Sequence, residues 1–151
     1  MSLITIQDLQ TQVETVGATI TNLYLINKTF NSRKREPASG PFCEFRIFDS
    51  EQSFGVINGA GTQGDKEVGN LIMEFFDDID QGQRLYTMAD TFQTGLKTQF
   101  DSIIFEIFRV ENIGIVERTR GEQGGKRRNS LHANKGLYKI SLRGTFRKYF
   151  T

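Results

Sequence analysis

The sequence predicts an α+β fold in a single domain, with elements in the order α-β-β-α-β-β. Three observations lead there. Two stretches repeat apolar residues at steps of three and four, four others carry apolar residues at strand spacing, and segments rich in glycine or basic residues lie between them without apolar period. At 151 residues the chain fits one domain, 1-151, able to bury a core without cross-links.

The first helix is drawn by Ile6, Leu9, Val13, Val16 and Ile20, whose spacing predicts Thr5 to about Thr21 with Thr5 as the cap. The following NLYLINKTFNSRKREPASGP reads as a connector: a short extended piece, a basic knot at Arg33, Lys34 and Arg35, then the breakers Pro37, Gly40 and Pro41. In FCEFRIFD, Cys43, Phe45 and Ile47 alternate with Glu44 and Arg46, the period of a strand with one buried face, and pairing is expected to continue through Gln52 to Ile57. The apolar run from Leu71 to Phe76 predicts a central strand covered on both faces. Leu85, Met88, Ala89, Phe92, Leu96 and Phe100 mark the second helix. SIIFEIFRVENIGIVERTR returns to strand chemistry, and the last strand sets Tyr138, Ile140, Leu142, Phe146 and Phe150 against Lys139, Ser141, Arg143 and Arg147. Between these two strands GEQGGKRRNSLHANKG has no apolar period and is expected to be a long exposed loop.

Composition narrows the function classes. Cys43 is the only cysteine, so no intramolecular disulfide is possible and no zinc spacing exists, which fits a reducing compartment. MSLITIQDLQ lacks the pattern of a signal peptide, and no run of about 18 apolar residues predicts a membrane span. A net charge of +1 gives no global field for nucleic acid, so attraction to phosphate must come from local clusters. Thirteen Phe and no Trp predict a core built on phenyl rings.

Several stretches invite a chemical reading. Gly59, Gly61 and Gly64 have Gly-x-Gly-x-x-Gly spacing, but a dinucleotide turn needs a helix after its last glycine, and strand chemistry follows here. GEQGGKRR departs from a P-loop in spacing and puts Arg127 where a magnesium-binding hydroxyl belongs. His132 has no nucleophile placed with it by any familiar signature. Asp77, Asp78 and Asp80 lack the remaining ligands and glycine of a calcium loop; their expected role is to place negative charge at the start of the second helix. No catalytic, cofactor or metal site is therefore predicted. The basic stretch is the strongest local signal: Arg118, Arg120, Lys126, Arg127, Arg128 and Lys135 meet only Glu122, a local charge of +5. It reads as a solvated loop or an electrostatic docking surface, without the interleaved aromatics of base reading.

Residues 42–150 resemble the tail terminator-like proteins of long-tailed bacteriophages. The resemblance lies in FCEFRIFDSEQ, GNLIMEFF leading into QRLYTMADTFQTGLK, IGIVER and the closing YKISLRGTFRKY. That family has an extended strand ending in an acidic, Gln-containing turn, a glycine-bearing loop, a Gly-rich entry to an apolar strand, a helix containing Ala-Asp and an alternating final strand. The basic insertion from Gly121 to Lys135 departs from it by its length.

The resemblance implies a mixed, mostly antiparallel sheet with helices packed on one face, in protomers that close into a ring, usually a hexamer. Such a ring caps the tail tube, stops its polymerisation and offers a docking surface to the head connector or neck protein. Phage DNA passes through the hole without sequence-specific binding. The expected location is the virion tail or neck after assembly in the host cytoplasm, with no membrane partner and no enzymatic step. Two segments are then expected to be assembly loops. One includes Asp49, Glu51, Gln52, Gln63, Asp65 and Lys66; the other is the basic stretch, which meets acidic neighbours or lines the DNA passage. The alternative is a nucleic-acid-binding module acting through basic loops 33–35 and 118–135.

Overall fold

A computed structural model describes residues 3–30, 34–49, 56–57, 63–64, 66–98, 103–117 and 136–149. Within them the elements run α1 (Leu3–Ala18), β1 (Tyr24–Asn27), β2 (Phe42–Asp49), β3 (Val56–Ile57), β4 (Gln63–Gly64), β5 (Lys66–Asp77), α2 (Gly82–Thr98), β6 (Ile103–Val116) and β7 (Leu137–Tyr149). The α+β class holds, while the predicted order lacked three strands. β1 is the extended piece in the connector, and its four residues are too few for alternation to announce it. β3 and β4 pair only with each other, as a separate two-stranded sheet.

The main sheet has the order β1-β2-β5-β7-β6, in which β1 runs parallel to β2 and every other pair is antiparallel. Register puts Cys43 beside Phe75 and Phe75 beside Ile140, then Phe45 beside Met73 and Met73 beside Leu142. Because alternate residues share a face, these rows form one apolar floor. Leu9, Val13 and Val16 of α1 and Leu85, Met88, Ala89, Phe92 and Leu96 of α2 pack on that floor, so both helices cover the same side. The Phe92 ring meets Phe75 at 5.6 Å between centroids, tilted by 59°.

Two details of the helices differ from expectation. α1 starts at Leu3, which puts Thr5 inside the helix and fully buried, not at its cap. It stops at Ala18, where the Thr19 and Ile20 amides donate to the Val16 and Gly17 carbonyls, and Asn22 takes a left-handed turn with φ 66°. Ile20 thus belongs to the exit turn and packs only partly on the core. In α2 the five described residues of the predicted stripe are buried; Phe100 lies outside the described residues. Among the described residues no helix is long and apolar enough to cross a membrane.

β5 is the central strand, but the helices cover only one of its faces. Leu71, Met73 and Phe75 lie beneath them, whereas Asn70, Ile72 and Glu74 remain half-buried on the other side. Ile72 and Phe76 fill the gaps in the alternation and disguise a one-faced strand as a two-faced one. Phe76 itself stacks on Phe42, 5.0 Å between centroids, in a small second cluster with Ile26 and Leu137.

Close approaches hold the layers together. Gly69 pairs across the sheet with Phe146, whose ring occupies the place where a Cβ at residue 69 would sit. At the helix crossing, a Cβ on Gly95 would lie 2.8 Å from Val16 Cγ1, so the helices approach over a missing side chain. The turn from β5 into α2 is tied by Asp77, which is fully buried. Its Oδ2 accepts from Arg84 Nε at 2.8 Å and its Oδ1 accepts from the Asp78 amide at 2.8 Å. The three aspartates precede α2, which begins at Gly82 with no acidic residue inside its first turn, and Asp77 in addition forms this ion pair.

Gly69→Ala should destabilise the protein by about 1–3 kcal/mol, the range for overpacking, in chemical denaturation. Adding Phe146→Leu should recover part of the loss; equal stability of wild type and Gly69→Ala would contradict the packing described. Asp77→Ala should cost about 1–3 kcal/mol, as expected for losing a charged hydrogen-bond acceptor and stranding the groups it served.

Candidate interaction surface

Strand alternation places the polar residues of β2, β5, β7 and β6 on the face opposite the helices. Register then aligns them into rows across the sheet. One row runs Glu44, Glu74, Ser141, Glu111, and the next runs Arg46, Ile72, Arg143, Arg109. Successive residues on one face are roughly 7 Å apart along a strand, so an acidic row lies beside a basic one. Lys139 Nζ reaches Glu74 Oε1 at 3.3 Å, Arg109 pairs with Glu111 along β6 at 2.5 Å, and Arg147 pairs with Glu106. Arg46 and Arg143 are exposed, and Arg143 forms no ion pair with a described residue. Nearby, Thr145 Oγ1 is buried with no hydrogen-bond partner among the described residues.

Glu44 sits in a recess of about 100 Å³ lined by Lys28, Arg46, Ile72 and Glu74. Burial pushes its carboxyl above the ordinary glutamate range; Lys28 opposes the rise, Glu74 adds to it, and Lys139 and Arg46 also oppose it. On the helix side of the same strand, burial drives the Cys43 thiol well up, with Glu44 and Glu74 adding to the effect. That favours the neutral thiol, a packing group and not a nucleophile. No group of three or more His, Cys, Asp or Glu among the described residues is placed to hold a metal ion.

Among the described residues, open grooves also lie elsewhere, two of them beside α1. The larger, about 410 Å³, runs between the end of α1 and β1, with Glu14, Tyr24, Lys34 and Phe45 in its wall. Lys34 is turned onto the chain itself: Nζ donates to the Leu25 carbonyl at 2.7 Å and lies 4.1 Å above the Tyr24 ring. The other, about 380 Å³, is lined by Thr19, Ile20, Arg84, Thr87, Met88 and Thr91 between the helices.

The residues singled out by sequence are distributed unevenly over the structure. Asp49 ends β2 opposite Gly69, and Lys66 opens β5, so these two reach the same end of the sheet. Gln63 pairs with Ile57 in the small hairpin. Glu51, Gln52 and Asp65 lie outside the described residues, as do Arg33, His132 and the whole basic set, Arg118, Arg120, Lys126, Arg127, Arg128 and Lys135. Gly64 lies in β4 and β5 follows from Lys66, so the glycine-rich stretch ends in strands and no helix opens there. Sequence reasoning found the wet face of β2 and of β7 but not those of β5 and β6, and it missed the rows, because register is a tertiary property.

Because the folded Glu44 carboxyl holds its proton more tightly than the unfolded one, its favourable contribution is complete below the ordinary glutamate range and is lost as pH rises through the raised value. Glu44→Gln should therefore gain stability over wild type as pH rises from that range to neutrality; thermal unfolding at a series of pH values would refute this if the difference shrank. No protein-family model matches the chain, and no curated protein matches it.

Proposed function

We propose that this protein is a structural subunit of a bacteriophage tail. Its copies close into a ring on the last layer of the tail tube, stop tube growth and present a surface to the head connector. The observation that carries the reading is the one-sided architecture: two helices cover one face of the sheet, and the other face displays adjoining rows of carboxylates and arginines. A protomer two layers thick can tile a ring with its helices outward and its hydrated sheet toward a central hole. That hole passes DNA without reading its bases. The sequence resemblance over residues 42–150 supports the same role.

A head-to-tail ring needs two different complementary surfaces on each subunit. Segments 49–66 and 118–135 supply them in this reading, with polar side chains that match acidic and basic surfaces on neighbours. The role calls for shape and charge matching and requires no bond-making step.

Adding the protein to polymerising tail-tube protein of the same phage should arrest elongation and leave a ring at the tube end in negative-stain images. Tubes that lengthen at an unchanged rate and carry no cap would refute the proposal.

A further inference from the structure

We propose that the outer edge of β6 is a self-recognition surface through which two copies of this chain pair antiparallel, joining their main sheets into one. This goes beyond the tail reading and does not rest on it. β6 is fourteen residues long and stands last in the sheet order, with β7 on one side and no described strand on the other. A strand edge of that length is a ready template for another strand, because every second residue offers an amide and a carbonyl outward. The opposite edge is different. β1 has four residues, and Lys34 covers it by donating to the Leu25 carbonyl.

The geometry of β6 limits where a partner can bind. Bulges interrupt it between Phe105 and Ile107 and again between Asn112 and Gly114, leaving a regular stretch from Ile107 to Asn112. A two-fold axis perpendicular to the sheet preserves each side chain's face, so one residue must stand opposite itself. With Val110 on the axis, Arg109 faces the partner's Glu111 and Glu111 faces the partner's Arg109. Both side chains belong to the face opposite the helices, where their neighbours on β7 are Arg143 and Ser141. Centring on Arg109 or on Glu111 instead would set like charges against each other, which is unfavourable. Of these three central registers only the one at Val110 is self-complementary.

Within one protomer Arg109 and Glu111 already pair along the strand, with Arg109 72% exposed. Dimerisation exchanges those two intrachain contacts for two interchain ones and adds ladder hydrogen bonds. Ile113 and Ile115, 47% and 62% exposed just beyond the regular stretch, lose water as the edge closes. A polyanion is a poorer occupant, because Glu106 and Glu111 lie on the same strand as Arg109.

The test is the mass of the purified full chain by sedimentation and light scattering over a range of concentrations, without tube protein. A two-chain species is expected. Arg109→Glu and Glu111→Arg should each weaken association by about tenfold through like-charge juxtaposition, and the double swap should return it close to wild type, with circular dichroism unchanged throughout. A protein that is monomeric at every concentration, a closed higher ring in the free protein, single variants that leave the dimer constant or a swap that fails to restore it would each overturn the proposal. Tube capping is measured separately, so the failure of one reading is distinguishable from the failure of the other.

Discussion

Everything in this fold depends on the register that locks β2, β5 and β7. The rows Cys43–Phe75–Ile140 and Phe45–Met73–Leu142 put the main apolar set of three strands on one side. A slip of one residue in any of them would carry Arg46, Glu74 or Arg143 beneath the helices, where an unpaired charge is costly. The same constraint creates the core and the charged face. Neither can be altered alone.

The helices read that floor and stay on one side of it. α2 is positioned by the ion pair of buried Asp77 with exposed Arg84 at its start and by its apolar stripe, and α1 then fits against α2 where Gly95 leaves space for Val16. Lys148 of β7 also donates to Asp8 of α1, bringing the end of the chain to its first helix. With apolar stripes satisfied on one side, nothing in the helices can cover the other. The face opposite the helices therefore carries the charged rows beside the smaller apolar cluster of Ile26, Phe42, Phe76 and Leu137, and its chemistry follows from alternation and register. This is why a role in surface matching suits the chain.

Sequence alone revealed the long elements because their periods are strong. Leu85, Met88, Ala89, Phe92 and Leu96 could only be one helical face, and Ile140, Leu142 and Phe146 only one strand face. It saw β1 only as an extended piece of a connector and not as a strand of the sheet, since Tyr24–Asn27 is too short to show a period beside a basic knot and two prolines. It misread β5 because Ile72 and Phe76 interrupt the polar half of the alternation. The candidate surface was half legible. Arg46 and Arg143 appeared as wet-face residues, whereas Glu74 lay in a run expected to be covered on both faces and Glu111 was not singled out; which of them lie side by side depends on pairing between strands distant in sequence. The sequence-derived weight on the basic segment 118–135 came from charge density alone, and the described fold offers a second charged surface that no single stretch announces.

The central claim is that the chain functions by oriented, surface-matched assembly, with its helices outward and its sheet face inward. Its most direct test is an electron cryomicroscopy reconstruction of a tube end bearing this protein. The account predicts a closed ring whose inner wall carries Arg46, Arg143 and Glu74, with α1 and α2 on the perimeter. A ring lined by the helices, or protein bound to the tube end as isolated copies, would contradict it.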